Sequence, residues 1–236
     1  MKIGVLQTGL VPEVLSPTHG QYAEMFQTFL GGQGFDFQAW SVVEGDMPCD
    51  VHEADGWLIT GSRHGVYEDH AWLPPLEIFI RHAKAQGRPM VGICFGHQIM
   101  AQALGGDVRK FDGGWVVGAQ EYDFADGARM TLAAWHQDQV LTPPKGAQTI
   151  AKHENCAHAA LLYPGWGLSF QPHPEFSPSY LEGLLLARGP GIVPDTLLSN
   201  AKHRLKDHLD AKPVADQIAQ FFRDNASVPT TKTETI

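Results

Sequence analysis

Apolar positions along the first hundred residues fall into short runs separated by glycines and by segments of helical spacing. Ile3 to Gln7 reads as a buried strand ended by Thr8-Gly9. Tyr22, Met25, Phe26 and Phe29 recur at helical intervals within Gln21 to Leu30, and Gly31-Gly32 ends that helix. Phe35 to Val43 alternates like a strand, and Gly56-Trp57-Leu58-Ile59-Thr60 is a short apolar run that meets a loop at Gly61-Ser62. A helix is predicted over Pro75 to Ala85, and a strand over Pro89 to Ile93. Strands that alternate with helices argue for an α/β fold whose mainly parallel central sheet is covered on both faces.

The pattern changes after Gly105-Gly106. Gly114 to Phe124, Arg129 to Ala133, Gln148 to Ala151 and Ala159 to Tyr163 are short strand-like pieces between turn residues, which predicts a few antiparallel strands added to the sheet. Trp166 to Phe170 returns to an apolar strand, and helices are predicted near Ser179 to Ala187 and Val214 to Arg223. Residues 1–226 read as one domain, and 227–236 as a loose polar tail.

Composition narrows the function. The 236 residues are 43% hydrophobic and 18% charged, as in an ordinary globular enzyme. A net charge of -9 gives no reason to expect nucleic-acid binding. No apolar stretch is long enough to span a membrane. Three cysteines cannot all pair, and the N-terminus carries no signal-peptide pattern, so a reducing, cytoplasmic setting is expected.

One stretch carries chemistry: Gly92-Ile93-Cys94-Phe95-Gly96-His97-Gln98, between the strand ending at Ile93 and a helix-forming segment, Gln98 to Leu104. A nucleophile on a tight strand-to-helix turn needs small neighbours, because side chains there would clash with its strained backbone. The adjoining helix N-terminus favours a thiolate. A thiol also needs a base, and the base an orienter. His173 and Glu175 follow a buried strand in Gln171-Pro172-His173-Pro174-Glu175, where alternation points both the same way and the prolines stiffen the segment.

Taken together, the Cys94 turn and His173-Pro174-Glu175 resemble the class I glutamine amidotransferase family. Trp135-His136-Gln137-Asp138 and Gln171 to Phe176 look closest to stand-alone members similar to the glutaminase domain of GMP synthase, and the layout also resembles γ-glutamyl peptidases. The resemblance implies a flavodoxin-like three-layer fold and a Cys94–His173–Glu175 triad acting on the γ-carbonyl of glutamine or a γ-glutamyl compound. It further implies an oxyanion hole from the backbone of Phe95 and a glycine of Thr60-Gly61-Ser62, with Ser62 and Gln98 at the substrate. Where the family commonly reads Gly-Gly-Pro or Gly-Ser-Pro, this chain has Gly61-Ser62-Arg63. Arg63, His64 and Tyr67 then either contact the substrate or form a solvated loop.

The remaining candidates read as structural. Cys49 lacks flanking glycines and reads as a loop thiol. His153, Cys156 and His158 are too closely interleaved for a common zinc spacing, so neither a metal nor a cofactor is expected. His203 and His208 are expected on one C-terminal helix, facing solvent; His97 is expected to pack, and His136 and Asp138 to rim a pocket or face a partner. No Gly-x-x-x-x-Gly-Lys-Ser/Thr loop accompanies the motifs. Three roles follow: a glutaminase serving a separate synthetase subunit, a self-sufficient γ-glutamyl hydrolase, or a silent module of the same fold. A thiol hydrolase of the related flavodoxin-like group fits Gln98 and His173-Pro174-Glu175 less well.

Overall fold

In a computed structural model, which describes residues 1–226, the chain runs β1 (Lys2–Leu6), α1 (Ser16–His19), α2 (Tyr22–Phe29), β2 (Asp36–Trp40), β3 (Gly56–Ile59), α3 (Leu73–Ala85), β4 (Met90–Ile93) and α4 (Phe95–Ala103). It continues through β5 (Asp107–Lys110), β6 (Val116–Phe124), β7 (Arg129–His136), β8 (Asp138–Thr142), β9 (Gln148–His153), β10 (Cys156–Tyr163) and β11 (Gly167–Phe170). Helices α5 (Pro178–Ala187), α6 (Asp195–His203) and α7 (Ala211–Asn225) follow. The tail expected at 227–236 lies outside the described residues. Among the described residues, no helix is long and apolar enough to cross a membrane.

Nine strands form one sheet in the order β2-β1-β3-β4-β11-β10-β9-β6-β7. The run β2 to β11 is parallel, and β10, β9, β6 and β7 extend it antiparallel. The flavodoxin-like arrangement and the antiparallel additions both match the reading of the sequence. Alternation along buried strands sorts side chains to two faces. Trp57, Ile59 and Met90 pack under α3 and α4, whereas Leu58, Val91, Ile93 and Phe170 pack against α2 and α7. Trp57 is fully buried between Trp40 and Phe79, with ring centroids 5.2 and 4.8 Å away, and its indole N–H donates to the Val51 carbonyl at 2.9 Å. Burying a large apolar side chain of this kind stabilises by roughly 1.5–3 kcal/mol.

Three local features differ from the pattern-based expectation. Helix α4 starts at Phe95 rather than near Gln98, because Gly96, a poor helix former, is held in the first turn by packing against β3. Helix α6 and the β5–β8 pair were not expected: α6 buries only Leu198 and Ala201, and β5 only Val108, so neither has a clear apolar period. His203 and His208 do not share a helix. His203 ends α6, and His208 follows a separate 3₁₀ turn (Arg204–Lys206); both are exposed.

The crossing of α4 over the sheet is tight. A Cβ on Gly92 would run into the Gly96 carbonyl, and a Cβ on Gly96 would run into the carbonyl of Ile59. Gly96→Ala is therefore expected to lower unfolding stability by about 1–3 kcal/mol, measured as a drop in the urea midpoint; an unchanged midpoint would show that α4 can move away from β3.

Candidate active site

Adjacent parallel strands end at the same edge of the sheet and deliver the candidate residues there. At the end of β4, Cys94 has φ 52° and ψ -101°, and among the described residues it is the one non-glycine residue with positive φ. Such a conformation costs of order 1–3 kcal/mol and persists only where the surroundings impose it. Here the Cys94 N–H donates to the Phe170 carbonyl of β11 at 2.8 Å, while α4 begins at the next residue. Phe95 is thus the first residue of α4, where backbone N–H groups have no acceptor within the helix. The end of β3 brings Gly61 alongside: a Cβ there would lie 2.8 Å from His173 Cε1 and 3.8 Å from Cys94 Cβ.

His173 and Glu175 come from the segment after β11. The His173 N–H donates to the Ala133 carbonyl at 2.8 Å, an isolated bridge that ties the segment to β7. His173 Nδ1 lies 2.8 Å from Glu175 Oε1, so the alternation read from the sequence does place both side chains on one side. Both are buried. Phe176 stacks on the imidazole, with centroids 3.9 Å apart and planes at 10°. Burial alone would push the His173 pKa down, but the Glu175 carboxylate, the Cys94 sulfur and hydrogen bonds to both raise it to about 10. The arrangement favours an imidazolium between two acidic partners.

A cavity of about 300 Å³ opens onto Cys94 and His173. Ser62 and Gln98 line it, whereas Gly61 and Phe95 border the site through their backbones. Gln98 Nε2 donates to the Asp138 carbonyl at 2.8 Å and to Gln171 Oε1 at 3.1 Å, which fixes the amide in the cavity wall. At the rim, the Tyr67 hydroxyl donates to Asp138 Oδ2 at 2.9 Å. Burial, then this bond and the Asp138 charge, raise the Tyr67 pKa to about 12, so it stays a donor. Arg63, Lys110 and Arg188 supply positive charge around the opening.

Other candidates resolve by position. His136 lines the cavity but is buried, and burial followed by the charges of His173 and His97 depresses its pKa to about 3. His97 points into the core, with Nδ1 2.8 Å from Ser169 Oγ, and burial depresses it to about 3 as well. Cys49 is an exposed loop thiol, and burial pushes the Cys156 thiol up to about 12. The sequence reading missed the aromatic wall of Tyr22, Trp115, Trp135 and Phe176. Trp135 and Phe176 stood within the motifs that carry the resemblance, but neither was read as part of a cavity wall.

Comparison with known proteins identifies the family and the fold. The model of the family "Glutamine amidotransferase class-I" matches residues 44–189. Gamma-glutamyl peptidase 2 of Arabidopsis thaliana is 26% identical over 208 residues, covering 82% of this chain and 84% of its own. GMP synthase [glutamine-hydrolyzing] of Thermus thermophilus is 28% identical over 160 residues, covering 62% of this chain but 31% of its own. Among solved structures, a glutamine amido transferase from Methylobacillus flagellatus superposes with a TM-score of 0.77 at 20% identity, covering 100% of this chain and 99% of its own. The chain belongs to the class I glutamine amidotransferase family.

Proposed function

We propose that residues 1–226 act as one catalytic unit that hydrolyses the γ-glutamyl amide of glutamine or of a γ-glutamyl compound. The observation that carries this is the strained Cys94 lining one cavity with His173, whose Nδ1 is held 2.8 Å from Glu175 Oε1. In this reading the Cys94 thiolate attacks the γ-carbonyl, its proton having passed to His173. Backbone N–H groups of Gly61 and Phe95 receive the developing oxyanion. Collapse of the tetrahedral intermediate breaks the C–N bond, and His173 protonates the departing ammonia or amine. His173 then takes a proton from water as it attacks the γ-glutamyl thioester, and the C–S bond breaks to release glutamate and return the Cys94 thiolate beside the imidazolium. Glu175 orients the imidazole and stabilises its charge. Gln98 and Ser62 hold the glutamyl portion.

We favour an independent hydrolase. The likeness to gamma-glutamyl peptidase 2 extends over most of both chains, and the aromatic wall leaves room for a leaving group larger than ammonia. The likeness to GMP synthase supports a second role, as the glutaminase of a separate synthetase subunit. Three unpaired thiols support a reducing, cytoplasmic setting.

Glutamate release from glutamine and from γ-glutamyl dipeptides by the purified chain separates the roles. Turnover of dipeptides supports the independent hydrolase; turnover only after a synthetase is added supports the second role. Cys94→Ala is expected to lower release by at least about 10³-fold with the fold intact, and an unchanged rate would sink the triad.

The raised His173 pKa generates a second expectation. Because the folded value lies above the ordinary value near 6.5, the imidazolium adds stability fully present below about pH 6.5, which is lost as pH rises toward about 10. By NMR, the His173 ring signals should stay in the protonated range well past pH 7, and Glu175→Gln should move the transition down by more than one pH unit. A wild-type transition near pH 6.5 would rule out the ion pair.

A further inference from the structure

The loop between Ser62 and α3 gathers three side chains that the proposed reaction does not use. Glu68 Oε2 lies 2.7 Å from His70 Nε2 and 3.4 Å from His64 Nδ1, and the three ligand atoms all lie within 4.8 Å of one another. An ordinary surface ion pair needs one imidazole for one carboxylate; here two imidazoles converge on the same oxygen. Ligands bound at 2.0–2.2 Å around a tetrahedral ion stand about 3.3–3.6 Å apart, so the set fits after small side-chain movements.

The backbone and a neighbouring ring hold this convergence. The His64 N–H donates to Ser62 Oγ at 3.2 Å, the Glu68 N–H to the Gly65 carbonyl at 3.1 Å, and the His70 N–H to the Glu68 carbonyl at 3.2 Å. The Trp72 ring lies nearly parallel to His70, at 12° and 5.6 Å, and edge-on to His64 at 5.9 Å. Trp72 itself packs on Phe95, 5.5 Å away, beside the nucleophile. The side chains of His64 and His70 remain 18% and 29% exposed, which leaves an entry path for an ion.

We propose that His64, Glu68 and His70 form a binding site for a divalent transition-metal ion of the zinc class. Two imidazoles and one carboxylate suit zinc, cobalt or nickel, whereas calcium and magnesium take oxygen ligands. Three protein ligands leave at least one position open for water or a further ligand, and two of them, His64 and Glu68, line the same cavity as Cys94. Bound there, the ion fastens the loop that carries Gly61 and Ser62 to the start of α3. The site is independent of the reaction proposed above.

The test is titration of the untagged, chelator-treated full chain with Co²⁺, followed by visible absorption, beside His64→Ala, His70→Ala and the near-isosteric Glu68→Gln. The chain carries twelve histidines, so the variants decide which of them bind. One equivalent with visible d–d bands, displaced by Zn²⁺ and weakened at least about tenfold in each variant, supports the site. A rise in thermal midpoint with Zn²⁺ in the wild type and not in Glu68→Gln supports it independently. Metal-free melting curves matching the wild type confirm that the variants fold, and Glu68→Gln decides the question if a histidine variant does not. No saturable binding, or equal binding by wild type and variants, would leave the cluster an ion pair only and overturn the proposal. Thiolate-to-cobalt bands that vanish in Cys94→Ala but survive His70→Ala would place the ion on the nucleophile and overturn it as well.

Discussion

The close crossing of α4 over the sheet is the constraint on which the rest of the site depends. Gly96 rests against the carbonyl of Ile59, and Gly92 against the carbonyl of Gly96, so the turn between them has almost no freedom. Cys94 is left with a positive φ that a non-glycine residue avoids unless its neighbours impose it. The same crossing sets the start of α4 at Phe95, so unpaired helix N–H groups open directly beside the thiol. Strain, dipole and nucleophile position thus follow from two missing side chains.

Burial then decides the charges. Moving an imidazole into the interior disfavours its cationic form, yet His173 is raised because Glu175 and Cys94 both face it. One oxygen of Glu175 is committed to His173 at 2.8 Å, and Oε2 has no hydrogen-bond partner among the described residues. Leaving a buried carboxylate oxygen unpaired is unfavourable, so little besides the imidazolium compensates the negative charge. His136 and His97, equally buried but without a carboxylate beside them, are pushed in the opposite direction. The same residue type therefore takes opposite protonation preferences within one site, and the difference lies in the two acidic partners, Glu175 and Cys94, that face His173.

Elements with a strong apolar period were legible in the sequence. β1, β3, β4, β11, α2, α3 and α7 lie where alternation or helical spacing indicates, because each buries a continuous face. The Cys94 turn and the His173–Glu175 pair were legible because steric need and extended alternation act over a few neighbouring residues. Short polar elements such as α6 and β5 were not, since tertiary contacts rather than local pattern hold them. The cavity wall was hidden for a related reason: Tyr22, Trp115 and Trp135 belong to segments far apart in the chain, and only the folded sheet brings them together.

The two halves of the sheet divide the work between them. The parallel half fixes Cys94 and Gly61 through β4 and β3, as loops at the ends of parallel strands commonly do. The antiparallel half reaches the base from the other side, because the His173 backbone bonds to Ala133 of β7. β7 also carries Trp135 and His136 into the cavity wall. β11 joins the two, pairing with β4 along one edge and β10 along the other before it delivers His173. The distance between thiol and imidazole is accordingly set by a continuous hydrogen-bonded path through β4 and β11, and the base's orientation by a second anchor on β7. A loop alone could bring these groups together only at the cost of ordering several residues. Two anchors on a shared sheet remove most of that cost, so the base is set in place before a substrate reaches the thiol.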